Sequence, residues 1–277
     1  MIRGERPPAK RVLDASARLA LIESHRKAKR ELKPGEARIQ SRWDYFRSTR
    51  KDQAGKKVFE ALLDSFHQKC AYCEQTAPRT IEHLFPKAGY PARMFRWNNL
   101  LPVCRNCNSN RNESMPLAPD GTPLLLDPTR DEPLDYLSWD PLTGATMDRP
   151  LPGRRERAEA TRSAFALHLY DRNRLDAVKD LRFLLARVIR EPEVSEDTKE
   201  RLRAHLLPSY PWLGIVREML LRPTQEQDRR LAKAALAKLP EIRDWVASWL
   251  RPPAWAAQDW KAQDVEIERR EPEGEAV

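Results

Sequence analysis

The stretch KCAYCEQTAPRTIEHLFPKAGYPARMFRWNNLLPVCRNCNSNR occupies residues 69–111 and contains all four cysteines of the 277-residue chain. The cysteines form two CxxC pairs, Cys70 with Cys73 and Cys104 with Cys107, which are separated by thirty residues. A CxxC turn presents two sulfurs to one ion, and two such turns complete the tetrahedron that Zn²⁺ prefers. Because four thiolates leave no coordination position open, we expect a structural zinc ion that stabilises a small fold.

Two redox-active CxxC pairs are the alternative interpretation of the same cysteines. Redox pairs are typical of thioredoxin-like βαβ units, and nothing around these cysteines suggests such a unit. Between Cys70 and about Ser114 no long periodic pattern occurs, which indicates short strands, turns and one short helix. We therefore predict an α+β, predominantly helical fold, in which a small zinc-stapled core is flanked by N- and C-terminal helices.

The composition is that of a folded, charge-rich protein. A third of the residues are charged and 40% are hydrophobic, which argues against disorder. No stretch approaches the roughly 20 apolar residues of a membrane span, and the N-terminus lacks the apolar run of a secretory signal. We therefore expect no membrane association and a cytoplasmic location, where paired cysteines are more often metal ligands than disulfides.

The net charge of +9 is concentrated at the N-terminus. Residues 1–57 hold 17 Lys and Arg against 7 Asp and Glu, a surplus that exceeds the net charge of the whole chain. A basic arm of this kind suits contact with a phosphate backbone. A solvated helical face is the alternative, because charge runs are common in proteins.

Apolar spacing predicts helices on both sides of the cysteine stretch. An N-terminal helix has its apolar positions at Val12, Ala15, Leu19 and Ile22, and a second helix covers about residues 57–66. Helical spacing returns from about 154 to 190, with a break near Asp171, and continues in four shorter helices as far as 250. Thr224 and Gln227 resemble a capping box for the helix that begins near 225.

These patterns divide the chain into five segments. Frequent prolines argue against helices in the middle one. The segments are a basic helical N-terminal arm (1–57), a zinc-stapled core (58–115), a proline-rich irregular connector (116–152), a helical C-terminal domain (153–252) and an acidic, flexible tail (253–277).

Polar residues lie in a fixed order between and after the cysteine pairs. Glu82-His83 stands in the gap, Asn99 precedes a leucine further on, and Asn108 directly follows the last cysteine. In this order the stretch resembles the HNH endonuclease family, whose zinc-bearing branch has CxxC, Asp/Glu-His, Asn-Leu and CxxC-His/Asn. The resemblance covers about 42 residues, and it implies a ββα-metal (His-Me finger) core.

The resemblance also implies a role for each signature residue. His83, at the end of the first strand, is the general base that takes a proton from the attacking water. Its ordinary pKa of about 6.5 leaves the imidazole free at neutral pH. Asn99 orients that imidazole, while Glu82 and Asn108 bind one divalent cation. Oxygen donors suit hard ions, so this cation is expected to be Mg²⁺ or Mn²⁺.

Two positions depart from the commonest family pattern, which has Asp in place of Glu82 and His in place of Asn108. Both variants occur in the family, and an amide is a harder ligand than an imidazole, which favours Mg²⁺ or Mn²⁺ and weaker metal binding. The basic residue that usually follows is Arg111, which is a candidate phosphate contact or a helix-surface residue. Lys87 and Arg93 are further candidates for nucleic-acid binding.

The flanking sequence LLLDPTRDEP, residues 124–133, extends the resemblance. With Asp127-Pro128 as its clearest point, it is similar to a bacterial HNH subfamily found in the Septu antiphage system and in retron-associated defence, beside an ABC-type ATPase. This resemblance implies a defence effector gated by an ATPase partner. The basic N-terminal segment and the C-terminal helices are candidate docking surfaces for that partner.

Three functions are compatible with these motifs. The first is an endonuclease that acts on DNA, with structured RNA such as tRNA as the alternative substrate. The second is a catalytically inactive, zinc-stabilised module that binds nucleic acid or serves as an adaptor, and the third is a zinc scaffold without nucleic acid. Only the nuclease requires His83 together with Glu82 and Asn108. The zinc scaffold gives these residues no role, so that their order in the sequence would be a coincidence.

Overall fold

A computed structural model describes residues 7–48, 53–149 and 154–247. In this part of the chain the fold is α+β and predominantly helical, as predicted, because long helices surround two small two-stranded sheets. The predicted tail, residues 253–277, lies outside the described residues. No described helix combines the length and the apolar character that crossing a membrane requires.

In the described residues before the cysteine stretch, the helices are α1 (Ala9–Val12), α2 (Ala15–Glu31), α3 (Arg38–Ser48) and α4 (Ala54–Ser65). The carboxylate of Asp14 begins α2 by accepting a hydrogen bond from the Ala17 amide at 2.8 Å.

The apolar face predicted for the N-terminal helix is wrong. Val12, Leu19 and Ile22 are 37%, 57% and 45% exposed, whereas Ala17 and Leu21 are buried. The buried face of α2 includes alanines because α2 packs closely against α4. Alanine is only weakly hydrophobic, so a search for large apolar residues does not identify the face on which the alanines lie.

A ββα unit forms the centre of the molecule, as predicted. Strand β1 (Thr80–His83) pairs antiparallel with β2 (Leu100–Val103), so that His83 lies opposite Leu100. Helix α5 (Arg105–Asn110) follows β2 at once and packs against β1. A loop of residues 84–99, which we call the central loop, joins the two strands and includes a short 3-10 turn before β2.

The β1–β2 hairpin lies between two hydrophobic clusters. On one face, Ile81 and Leu100 pack with the N-terminal helices. On the other face, Leu101 and Val103 pack with the four cysteines and the C-terminal helices. All residues of β2 are buried, because side chains alternate between the two faces of a strand and both faces are covered.

The connector contains a small sheet that the prolines concealed. Strand β3 (Leu137–Trp139) pairs antiparallel with β4 (Thr146–Asp148), and a tight turn joins them. Gly144 in this turn has φ +76°, and a Cβ atom there would lie 1.9 Å from the carbonyl oxygen of Asp171. The turn therefore packs directly against the main chain that begins the next long helix.

The C-terminal half is a cluster of helices around one long helix, α7. They are α6 (Arg155–Ala164), α7 (Asp171–Arg190), α8 (Glu196–His205), α9 (Leu213–Leu221), α10 (Glu226–Lys238) and α11 (Glu241–Ala247). The predicted break near Asp171 is present as a 3-10 turn, Leu167–Tyr170. The predicted capping box is wrong, because α10 begins after Gln225 and no side chain caps it.

Candidate zinc centre and active site

The sulfur atoms of Cys70, Cys73, Cys104 and Cys107 all lie within 4.8 Å of one another, and all four residues are buried. The Sγ atoms of Cys73 and Cys104 are 3.6 Å apart, too far for the disulfide bond length of about 2.05 Å. A tetrahedral ion with Zn–S bonds of about 2.3 Å places its sulfurs a little under 4 Å apart. The four cysteines are thus free thiols whose geometry fits a zinc ion.

Backbone amides shape the two CxxC turns. The Gln75 amide donates to the Cys73 sulfur at 3.5 Å, and the Cys107 amide donates to the Cys104 sulfur at 3.4 Å. Glu74 adopts a left-handed conformation with φ 67°, which lets the first turn close. These amides can offset the negative charge of thiolate ligands, which favours metal binding over free thiols.

The C-terminal half completes the surroundings of the cysteines. The Tyr170 hydroxyl lies 3.3 Å from the Cys104 sulfur, and Tyr72 stacks on Phe165 with ring centroids 3.5 Å apart. Arg174 is only 2% exposed, and the charge of its guanidinium interacts with Cys73. A zinc ion here would therefore join the central unit to α7.

The sequence interpretation missed Arg174 and Tyr170. Arg174 precedes Ala177, Val178 and Leu181 on the buried face of α7. A charged residue at a core position of an amphipathic helix indicates a buried partner. This signal was present in the sequence. Tyr170 offered no comparable signal, because the 3-10 turn that aims it is visible only in the structure.

His83 ends β1 and is 4% exposed. Its Nε2 atom lies 3.1 Å from the carbonyl oxygen of Met94, a geometry that assigns the N–H to Nε2 and leaves the lone pair on Nδ1. The Trp43 ring packs edge-on against the imidazole at 4.5 Å. Burial, together with the positive charge of Lys87, lowers the pKa of His83 to about 3. The imidazole is therefore a neutral base at pH 7.

Asn99 is buried and binds the central loop rather than the imidazole. Its Nδ2 donates to the carbonyl oxygens of Phe85 and Arg93 at 3.1 and 3.0 Å, and its Oδ1 accepts from the Phe85 amide at 2.7 Å. Arg93 directly precedes Met94, whose carbonyl oxygen contacts His83. Any orienting effect of Asn99 on the imidazole therefore acts through the loop.

Glu82 and His83 lie on opposite faces of β1. His83 faces Trp43 and the N-terminal cluster, whereas Glu82 interacts electrostatically with Arg111 on the side of α5. Burial raises the pKa of Glu82 to about 7, although the positive charge of Arg111 opposes the shift. The structure thus places the expected base and the expected cation ligand side by side in the chain but not on one face. The positive charge of Lys87 interacts electrostatically with both Glu82 and His83.

Asn108 is half-buried on α5, the helix that packs against β1. The cysteine cluster is the one group of three or more His, Cys, Asp or Glu ligand atoms among the described residues. A cation held by Glu82 and Asn108 would therefore need water or phosphate oxygens to complete its coordination, which is usual for Mg²⁺.

The three basic candidates are placed differently. Arg111 is 7% exposed, and its guanidinium donates to the carbonyl oxygens of Asn112 and Leu84 at 2.6 and 3.3 Å. The alternative role at the helix surface is therefore wrong, and in this conformation Arg111 does not present its charge to a phosphate. Lys87 is partly exposed, and Arg93 lies 4.0 Å above the ring of Phe85.

Comparison with known proteins gives a partial match to a curated protein. The chain is 32% identical over 82 residues to the Septu protein PtuB of Bacillus thuringiensis, and the match covers 28% of this chain and 30% of that protein. The chain thus spans under a third of the length of the curated relative that it matches. No family model matches the chain. The similarity therefore links part of the chain to a Septu protein without assigning the whole chain to a family.

Proposed function

We propose that this protein is a metal-dependent endonuclease of the HNH type, which hydrolyses phosphodiester bonds in DNA or, alternatively, in structured RNA such as tRNA. The observation that carries the proposal is the state of His83. It ends the first strand of a ββα unit clamped by four cysteines, and the Met94 carbonyl oxygen fixes its tautomer with a lone pair on Nδ1. The lone pair on Nδ1 can accept a proton, and removal of the cover over His83 would return its pKa toward the operating pH that general-base catalysis needs.

In the proposed reaction, Nδ1 of His83 takes a proton from the attacking water. Asn99 positions the base by holding the central loop, whose Met94 carbonyl oxygen binds Nε2. Glu82 and Asn108 would hold Mg²⁺ or Mn²⁺, which when bound supplies positive charge at the scissile phosphate. A cation fits a buried carboxylate whose pKa is raised to about 7, because positive charge favours its ionised form.

The proposed reaction requires a change in the cover of His83. The imidazole is almost fully buried under Trp43 of α3, so that α3 must shift before a water molecule and a phosphate reach Nδ1. The partial likeness to a Septu protein supports a role in antiphage defence. We propose that an ABC-type ATPase partner gates the nuclease in the cytoplasm by moving this helix.

One observation favours a second function, that of an inactive nucleic-acid-binding or adaptor module. Glu82 and His83 occupy opposite faces of β1, and His83 is covered. A protein that has lost catalysis would tolerate this arrangement, because it would need the zinc centre for folding but no shared pocket for a base and a cation.

Plasmid cleavage separates the two functions. We expect the full chain to nick plasmid DNA with Mg²⁺ or Mn²⁺, and His83→Ala to lower the rate by about 100-fold or more. His168→Ala, at an exposed histidine, is the matched control and should cleave like the wild type.

A wild-type rate in His83→Ala would remove the proposed base. Absence of cleavage of both DNA and RNA, even with the ATPase encoded nearby and with ATP, would favour the adaptor.

A further inference from the structure

A cavity of about 270 Å³ opens beside the central loop. One wall is formed by the central loop itself, which contributes Leu84, Phe85 and Asn99. The opposite wall belongs to the turn that begins at Asp127, together with Arg157 of α6. This turn includes the DPTRDEP sequence, to which the proposed reaction gives no role.

The lining is rich in arginine. Arg93, Arg96, Arg130 and Arg157 face two acidic residues, Asp127 and Asp131, which leaves a surplus of two positive charges. Arg157 binds Asp131 with both terminal nitrogens, at 2.7 and 2.9 Å. Its Nε atom is buried and finds no acceptor among the described residues. A buried donor of this kind calls for an acceptor, which a water molecule or a ligand can supply.

The turn is preorganised by its own hydrogen bonds. Oδ1 of Asp127 accepts from the amide and the hydroxyl of Thr129 at 2.9 and 2.7 Å, and the Asp127 amide donates to Asp131 at 2.8 Å. Arg130 projects from this turn with a side chain that is 45% exposed, 3.8 Å from Asp127. An ion pair of this length at a solvent-accessible position contributes little stability. The Arg130 guanidinium can therefore leave the Asp127 carboxylate and bind a phosphate.

The wall formed by the central loop supplies an aromatic surface. Phe85 is partly exposed, and Arg93 stacks on its ring at 4.0 Å. Aromatic rings and guanidinium groups are the side chains on which unpaired bases stack, and arginine binds phosphate through paired donors. The cavity therefore combines the two chemistries that recognise one nucleotide.

We propose that this cavity binds a single unpaired nucleotide of the substrate strand, its phosphate on Arg93 and Arg130 and its base against Phe85. The inference rests on the proposed function, and it names the substrate class as nucleic acid with an unpaired nucleotide near the cleavage site. A base within a duplex has both faces stacked and cannot enter a cavity of this size. Asn99 borders the cavity and also holds the loop whose Met94 carbonyl oxygen contacts His83, so that a nucleotide bound there touches the loop that positions the proposed general base.

Binding measurements on the full chain test the proposal. Every chain in this experiment carries His83→Ala, so that the probe stays intact, and the chain with no further change serves as the wild-type cavity. Fluorescence anisotropy follows a labelled single-stranded 12-mer and a blunt duplex of the same length. We expect Arg93→Ala/Arg130→Ala to weaken single-strand binding by about tenfold or more and duplex binding much less. Phe85→Leu should weaken single-strand binding at unchanged salt dependence, because it removes stacking and no charge.

Arg172→Ala is the matched control, since Arg172 is an arginine 80% exposed on α7 and outside the cavity. It should bind both probes like the wild type. Thermal unfolding of each variant verifies that the fold is intact. Wild-type binding of the single strand by the double variant would overturn the proposal, as would an equal loss for the duplex. Binding of a free mononucleotide without binding of the strand would also overturn it.

The binding and cleavage experiments can disprove the two proposals independently of each other. If the chain cleaves through His83 while the cavity variants bind normally, the cavity proposal is wrong and the nuclease stands. If the cavity variants lose single-strand binding while no condition yields cleavage, the cavity stands and the proposed catalytic function is wrong.

Discussion

Glu82 carries a buried carboxyl group whose pKa is strongly raised. It is 8% exposed, and burial raises the pKa of its carboxyl to about 7 in spite of Arg111 nearby. The Arg111 guanidinium contacts main-chain carbonyl oxygens of the central loop and of the segment after α5. At neutral pH the ionised carboxylate is therefore incompletely compensated, a condition that a bound cation would relieve.

Glu82 should make the stability of the protein depend on pH when no divalent cation is present. Its folded pKa of about 7 exceeds the ordinary value of 4.5, so that its contribution to stability is complete below pH 4.5 and is lost as the pH rises through 7. The shift corresponds to about 3 kcal/mol. Urea unfolding at pH 5 and pH 8 should show this loss in the wild type and not in Glu82→Gln.

Mg²⁺ added at pH 8 should restore part of the lost stability in the wild type and not in Glu82→Gln. Glu60→Gln, at a glutamate 55% exposed on α4, is the control and should follow the wild type. If wild type and Glu82→Gln lose the same stability between pH 5 and pH 8, the carboxylate does not titrate in this range.

At the scale of elements, helix α3 determines the environment of His83. Trp43 packs on the imidazole, and Phe46 extends the same aromatic contact to Phe95. The position of His83 at the end of a strand was predictable from the HNH-like order of residues. The contact with Trp43 was not, because it joins positions forty residues apart and no local pattern encodes it.

Trp43→Ala should therefore raise the pKa of His83 from about 3 toward the ordinary 6.5, since solvent then stabilises the charged imidazole. The same change leaves a cavity in the N-terminal cluster and should lower the free energy of unfolding by about 3–5 kcal/mol. NMR titration of the imidazole measures the first effect. Trp43→Phe retains an aromatic cover and should keep the pKa low; an equal rise in both variants would contradict shielding by the ring.

The turn between β3 and β4 gives a second prediction at this scale. Gly144 and Gly121 both have positive φ, but only at Gly144 would a Cβ atom meet neighbouring backbone. Both alanine variants should lose more than about 1 kcal/mol from backbone strain. Gly144→Ala should lose clearly more stability in thermal unfolding, because its Cβ separates the turn from α7. Equal losses would mean that the close packing contributes nothing.

The elements themselves were predictable in proportion to the strength of their periodicity. The helix predicted over about residues 57–66 is present as α4, which ends at Ser65, and the break in the long C-terminal pattern lies where expected. The β3–β4 sheet escaped prediction because its strands are three residues long, too short for alternation to show. The capping box failed because the helix begins two residues after Thr224, so that a matching pair of residue types did not set the boundary.

At the scale of the whole molecule, the cysteine cluster lies in the larger of two hydrophobic clusters. That cluster includes residues of the connector and of the C-terminal helices, whereas the sequence suggested a zinc unit bounded near residue 115. The spacing of the cysteines predicted the group itself, because CxxC geometry is local. The contact of Phe165 and Tyr170 with that group depends on tertiary packing, which the sequence pattern does not reveal.

Removal of zinc should accordingly loosen more than the central unit. We expect one zinc per chain by elemental analysis, and loss of amide protection after chelation both in residues 70–110 and in residues 155–190. A structural zinc ion contributes on the order of 10 kcal/mol, enough to unfold this cluster. Cys104→Ser should behave in the same way, whereas His83→Ala should keep its protection. Exchange confined to residues 70–110 would contradict a shared core.

The position of Arg174 and Tyr170 beside the cysteines has a consequence for folding during synthesis on the ribosome. A ribosome adding about 5–20 residues per second delivers the last cysteine several seconds before it delivers α7. During that interval the nascent chain has its thiols but lacks the side chains that enclose them. The surroundings of the four cysteines, where a zinc ion could bind, are therefore complete only after most of the polypeptide has been synthesised.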